Sequence, residues 1–265
     1  MAIITISGGT LSGGTSLAER LSRTLGYASI DLNSLLRKAS TARVSEFDLR
    51  AALEQPPDFP GTLNHRRYLY HALLEAALLQ EVRGGRAIYH GLAGHLLLRG
   101  VPGLIRLRVI APMEYRIQRA IERLHLERAE AITHIRQMDR DRRQWTQFLY
   151  GVDWGDASQY DLVINLERLS LDQSSQLVVE LAETNGFELE PKDAATLDDL
   201  VIAAELRKAL ALSPHTVHLE VQVEPRGGIF VVRGESVLED EEEIRRVAAT
   251  VPGIREISIE PRHGA

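Results

Sequence analysis

The sequence predicts an α/β protein, a doubly wound parallel sheet with helices on both faces, followed by a small α+β domain of order αββαβ. Three observations carry this. Short β-branched runs at 3–6, 86–91, 104–111 and 160–165 alternate with amphipathic segments of helical period. The first run opens directly into a glycine-rich loop. After a polar, proline-containing stretch at 188–195, the pattern changes to helix, alternating strand, turn, strand, helix and strand. The expected boundaries are 1–187 for the α/β domain, 188–195 for a linker and 196–262 for the small domain.

The first strand runs into Ser7-Gly8-Gly9-Thr10-Leu11-Ser12-Gly13-Gly14-Thr15-Ser16, and a helix of apolar period follows to Leu25. Strand, glycine loop and helix start form a geometry that cradles phosphates, because backbone N–H groups turn toward one point and the helix dipole adds positive potential. The spacing Gly8-x4-Gly13-Gly14-Thr15 fits the P-loop pattern G-x4-G-K-[ST] except that Gly14 stands at the lysine. The motif has two readings, a phosphate loop or a tight turn between strand and helix. On the first, Gly8, Gly9, Ser12, Gly13, Gly14, Thr15 and Ser16 hold a nucleotide's phosphates, and the Thr15 hydroxyl holds Mg²⁺. Without a lysine, the β- and γ-phosphates lose a point charge.

The remaining elements follow in order. Gly26 stops the first helix and 27–31 is a second strand, with short helices at 32–38 and 44–53. Prolines at 56, 57 and 60 make 55–61 a loop. A long amphipathic helix covers 65–82, with Leu69, Ala72, Leu73, Ala76, Ala77 and Leu79 facing in. The strand at 86–91 places His90 and Gly91 at the C-terminal edge of the sheet, where ligands bind in such folds. Helices follow at 93–98, from Pro112 to about 124, at 127–148 and at 171–184. In the small domain the helix is 197–212, the strands are 217–223, 229–234 and 251–259, the turn is 225–228 and the second helix is 239–250.

Composition bounds the chemistry. The 265 residues include no cysteine, so thiolate metal sites, disulfides and a thiol nucleophile are excluded. Residues 191–265 carry nine basic against 14 acidic side chains, which disfavours nucleic acid as a partner. No apolar run approaches the ~20 residues that span a bilayer, and the first residues show no basic n-region or cleavage site. A cytoplasmic protein without a transmembrane segment is expected.

Residues 1–185 resemble the cytidylate kinase-like family of P-loop nucleoside monophosphate kinases. The resemblance rests on Ile4-Thr5-Ile6-Ser7 leading into Ser12-Gly13-Gly14, on Asp31 after the second strand, and on Tyr89-His90-Gly91-Leu92-Ala93-Gly94. It rests most on three ordered blocks: Asp139-Arg140-Asp141-Arg142-Arg143, Phe148-Leu149-Tyr150-Gly151-Val152-Asp153-Trp154, and Tyr160-Asp161-Leu162-Val163-Ile164-Asn165. Residues 196–260 are similar to a BON domain, through Val232-Arg233-Gly234 and Val251-Pro252-Gly253-Ile254. Such a module implies association, with a protein partner or a second copy of the chain.

The kinase resemblance implies transfer of a phosphoryl group from ATP, with Mg²⁺, to an acceptor such as CMP or dCMP. The charge that this requires would come from the lid arginines Arg140, Arg142 and Arg143. Arg140 and Arg143 fall on one helical face, so both could reach one phosphate cluster, or both belong to a solvated face. Arg66 and Arg67 are candidates for the acceptor phosphate. Asp31 contacts a sugar or base, or caps the next helix. His90, Gly91 and His95 complete the candidates. Two departures from the family stand out: no basic residue lies between Ala2 and Glu19, and Leu92 follows the third-strand glycine, where many relatives carry arginine. These departures favour a second reading, a catalytically silent nucleotide-binding or regulatory protein.

Overall fold

The computed structural model describes residues 2–54, 64–184 and 186–261, without the side chains of 52–54, 64–66, 148 and 149. The expected loop at 55–61 lies outside the described residues. The described residues form two compact units. One contains 2–37, 53–54 and 84–190, and the other 38–52, 64–83 and 191–261.

The first unit is built on five strands: β1 (Ile3–Gly8), β2 (Ala28–Asp31), β3 (Ala87–His90), β4 (Leu104–Ile110) and β5 (Leu162–Asn165). Their order is β2-β3-β1-β4-β5 and every pairing is parallel. β1 is central, and Ile3, Ile4 and Ile6 are buried, as a parallel sheet covered on both faces requires. The flanking helices are α1 (Gly14–Leu25), α2 (Leu32–Ala39, whose last two residues fall in the second unit), α5 (Gly94–Leu97), α6 (Met113–Leu124), α7 (Arg128–Tyr150) and α8 (Leu171–Ala182). Leu17, Ala18 and Leu21 of α1 share one core with Ile4, Ile88, Leu107 and Val178. The parallel sheet places every strand's C-terminal end on one edge, which is where β1 releases its loop.

The second unit holds α3 (Glu46–Glu54, up to Ala52), α4 (Asn64–Val82) and α9 (Pro191–Leu212). To these it adds β6 (Gln222–Arg226), β7 (Ile229–Gly234), α10 (Glu241–Ala248) and β8 (Ile257–Pro261). Its sheet is mixed, with β6 antiparallel and β8 parallel to β7. Several bounds differ from the expected ones. α9 begins at Pro191, inside the stretch read as a linker, because proline is well placed in a helix's first turn. The strand expected at 217–223 starts at Gln222. Residues before it turn instead, held by Thr216, whose Oγ1 donates to Leu210 O at 2.7 Å. Pro225 and Arg226 belong to β6, leaving Gly227 and Gly228 as the turn; β6 is an edge strand, where a missing N–H is tolerated. The last strand is confined to Ile257–Pro261.

Candidate active site

The chain leaves the sheet at Gly8 and curls back into α1. A side chain cannot replace Gly8, because a Cβ there would lie 2.7 Å from both Ser12 Oγ and Val109 O. Gly13 has φ +101°, and its Cβ would come within 2.5 Å of Leu166 Cδ1. The curl is closed by Ser12 N, which donates to Gly9 O at 3.0 Å. Gly13 is also the N-cap of α1 and offers no side-chain acceptor. The first-turn N–H groups of α1 therefore end uncapped, the condition in which a helix start binds an anion. Thr10 Oγ1 and Ser12 Oγ, both buried in the loop, have no hydrogen-bond partner among the described residues.

A brace from α6 and α7 holds the loop from outside. Asp139 Oδ1 accepts from Thr10 N at 2.9 Å, and Arg116 Nε donates to Thr10 O at 2.8 Å. Arg116 Nη2 pairs with Asp139 Oδ2 at 2.5 Å. The guanidinium lies so close that a Cβ on Gly9 would sit 3.0 Å from its central carbon. Arg142, one turn beyond Asp139, donates from Nη1 to Gly8 O at 2.9 Å. Burial lowers the Arg142 pKa, opposed by the nearby Asp139 charge.

The loop forms one wall of a cleft of about 410 Å³. Asp31, Leu32 and Asn33 line it from the end of β2, and His90, Gly91 and Leu92 from the end of β3. Arg119, Arg123, Met138, Asp141 and Arg142 line it from α6 and α7. Arg123 Nη2 also donates to Ser16 Oγ at 3.0 Å, tying α6 to the first turn of α1. Burial would raise the Asp31 pKa, but hydrogen bonds from Ser34 and the charges of His90 and Arg37 hold it below its ordinary value. Asp31 Oδ1 accepts from Ser34 N at 2.6 Å, so this carboxylate caps the start of α2 while facing the cleft. Burial pulls the His90 pKa down, against Asp31 and Glu19.

The structure thus gathers Gly8, Gly9, Ser12, Gly13, Gly14, Thr15, Asp31, His90, Gly91 and Arg142 around one cleft, with Ser16 at its rim. Arg140, Arg143 and His95 are not among the residues that line it. Arg140 and Arg143 are exposed and do not line the cleft; Arg143 Nε lies 3.9 Å from Asp153. The face of α7 that meets the loop is that of Asp139 and Arg142, one residue earlier. Arg67 is in the second unit, and the side chain of Arg66 lies outside the described ones. His95 is buried beneath the loop instead. Its Nδ1 is 3.2 Å from Ser7 Oγ, its ring stacks at a tilt 4.7 Å from Tyr160, and burial with Arg106, Arg99 and Arg108 pushes its pKa down to about 4.

Sequence reasoning missed Arg116, Arg119, Arg123 and Asp139. The signal was present, since Arg116, Arg119 and Arg123 recur at i, i+3 and i+7, one face of a helix. Gly14 is not kept by crowding: a Cβ there would meet Ile6 Cγ2 at 3.4 Å, an ordinary contact. Among the described residues no cluster of three His, Asp or Glu side chains could hold a metal ion. What the cleft offers an anion is the uncapped α1 terminus, the exposed Thr15 and three arginines.

Known proteins resemble this chain in sequence and in fold. The sequence profile described as "Cytidylate kinase-like family" matches residues 3–168. The cytidylate kinase of Methanopyrus kandleri is 27% identical over 179 residues, covering 66% of this chain and 90% of its own. That of Staphylothermus marinus is 28% identical over 188 residues, covering 69% and 97%. Among solved structures, an uncharacterized protein from Eubacterium ventriosum superposes with a TM-score of 0.55 at 15% identity, over 70% of this chain and 100% of that one, a likeness of fold.

Proposed function

The chain belongs to the cytidylate kinase-like family, and from that membership we propose that it transfers the γ-phosphoryl group of ATP to a CMP- or dCMP-like acceptor. An acceptor phosphate oxygen bonds to the γ-phosphorus as the bond to the β–γ bridging oxygen breaks, and ADP leaves with that oxygen. The acceptor oxygen is already anionic, so the protein needs no strong base; it must position the reactants and neutralise charge. Mg²⁺, when bound with the nucleotide, supplies charge neutralisation and alignment of the phosphates. Thr15 is the side chain we assign to it. The loop amides of Gly13 to Ser16 hold the donor phosphates. Asp31, His90 and Gly91 serve the acceptor, with Arg66 and Arg67 as further candidates.

One observation carries this reading. Arg119, Arg123 and Arg142 line the same cleft as a loop that has no cation of its own. The charge missing at Gly14 is thereby replaced from α6 and α7. Arginines so placed serve phosphate binding in a silent sensor as well, so turnover is what separates the two readings. On this reading the protein works in the cytoplasm, where ATP is available.

Titration calorimetry with ATP and Mg²⁺, alone and then with CMP, tests it. The expected result is Mg²⁺-dependent ATP binding and a sustained heat of turnover once CMP is added. Binding without turnover would favour the sensor, and no binding of either nucleotide would leave the loop as a turn.

A further inference from the structure

The first unit holds a second pocket, of about 310 Å³, that shares no lining residue with the cleft. His95 and Arg99 line it from α5 and the turn after it, Leu104 and Arg106 from the start of β4, and Gln159 and Asp161 from the chain ahead of β5. It therefore lies toward the N-terminal ends of the strands, whereas the cleft lies at their C-terminal ends.

Three nitrogen donors in this pocket have bonds left to make. Asp161 fixes the guanidinium of Arg106: Nε donates to Oδ2 at 3.1 Å and Nη2 to Oδ1 at 2.6 Å. Asp161 Oδ2 also accepts from Arg106 N at 2.8 Å, so this carboxylate is spent on its partner. Arg106 Nη1 has no acceptor among the described residues. Arg99 is exposed and makes no hydrogen bond or ion pair among the described residues. His95 is only 4% exposed; its Nδ1 lies 3.2 Å from Ser7 Oγ, and its buried Nε2 has no partner among them. The ring is neutral near neutral pH, because burial and the charges of Arg106, Arg99 and Arg108 oppose its protonation. In the tautomer whose Nδ1 accepts from Ser7, Nε2 carries the hydrogen, and a buried N–H left unpaired calls for an acceptor.

The charge count selects that acceptor. Arg99 and Arg106 against Asp161 leave the pocket one net positive charge. A monoanion balances it. A dianion would leave a negative charge beside Asp161 unless His95 took up a proton, which its burial opposes. A planar carboxylate also matches the geometry of a guanidinium. We propose that this pocket is a binding site for a small organic monocarboxylate, whose oxygens accept from Arg99, Arg106 Nη1 and His95 Nε2.

The test titrates the full chain near neutral pH with acetate, with lactate and with inorganic phosphate, following the histidine Cε1–H resonances by NMR. His95 reports the pocket and His90 the cleft. Acetate or lactate is expected to shift His95 saturably at millimolar concentration and to leave His90 in place, while phosphate shifts His95 at least tenfold less readily. Arg99→Met, a change at an exposed position, is expected to weaken the carboxylate response about tenfold, and Arg99→Lys to keep most of it. No saturable His95 shift with either carboxylate at tens of millimolar would overturn the site. So would a His95 shift that follows His90 with the same midpoint, or one undiminished in Arg99→Met. A stronger His95 response to phosphate than to both carboxylates would overturn the ligand class.

Discussion

The loop from Gly8 to Ser16 carries no charged side chain, while α6 and α7 present Arg119, Arg123 and Arg142 to the cleft it lines. The two regions supply different things. The loop gives geometry, through glycines that admit a tight curl and a helix start left uncapped. The helices give charge. A lysine inside the loop would hold its charge on the loop's own backbone. Here the charge comes from α6 and α7, which the Arg116–Asp139 brace ties to the loop.

The largest effect expected is from Arg142→Met. It removes a desolvated cation and the donor to Gly8 O, and leaves the loop glycines in position. Loss of one such electrostatic contact lowers kcat about 10²–10³-fold. Single-turnover rates measured beside ATP affinity check this. A wild-type rate would show that charge in this site does not come from α7.

Breaking the brace is expected to cost stability more than chemistry. Arg116→Met leaves Asp139 with the Thr10 amide and the nearby Arg142 charge, and Arg116 is just 11% exposed. The predicted loss is about 3 kcal/mol, the low end for a broken buried pair because Asp139 keeps some solvent. Urea unfolding of Arg116→Met and of the double variant with Asp139→Asn measures it. The double variant is expected to recover part of the loss, since no carboxylate is then stranded.

Much of the loop was legible in the sequence and the brace was not, for physical reasons. Ile3 to Ile6, the glycines and the apolar period of Leu17, Leu21 and Leu25 are local signals that sit within one βα unit. Thr10 and Asp139 are 129 residues apart, and only the folded sheet brings α7 to the loop. On α7 itself, the three candidates Arg140, Arg142 and Arg143 divide: Arg142 lines the cleft, and Arg140 and Arg143 are exposed. In a helix one residue is a rotation of about 100°, enough to turn a cleft-lining group toward solvent. Near 217–223, alternation was real, since Leu219 and Val221 are buried, yet the strand ladder begins only at Gln222. Burial alternates wherever a chain crosses a core edge, whether or not it is hydrogen-bonded as a strand.

A pH titration probes the loop from beneath without touching the arginines. His95 meets Ser7, the residue before Gly8, and its pKa falls from an ordinary 6.5 to about 4 through burial and the Arg106, Arg99 and Arg108 charges. A depressed histidine is neutral in the folded state and takes up protons first when unfolded. Its contribution is therefore complete above pH 6.5 and is lost as pH falls toward 4. The displacement corresponds to at most about 3 kcal/mol. His71, lowered to about 3, gives a slope of the same sign in the other unit. Urea midpoints at pH 7 and 5 for wild type and His95→Gln isolate the His95 share. The variant's slope is expected to be shallower, and equal slopes would show that His95 titrates normally.

The smallest effect, and the sharpest test of the division between loop and helices, is Gly14→Lys. The position has room, since the nearest atom to a new Cβ is Ile6 Cγ2 at 3.4 Å and its φ is not in the left-handed region. Replacing a helix glycine also adds stability of about 0.5–1 kcal/mol. If α6 and α7 already neutralise the phosphates, the added lysine is partly redundant, and ATP affinity rises about tenfold or less, the worth of one charge-assisted hydrogen bond. In the Arg142→Met background the same lysine meets a charge deficit, so its gain there is expected to exceed its gain in wild type. Equal gains in both backgrounds would mean that loop and α7 cations act on different parts of the nucleotide, and that Arg142 does not stand in for the missing lysine. The double-mutant cycle in ATP affinity and single-turnover rate makes that distinction.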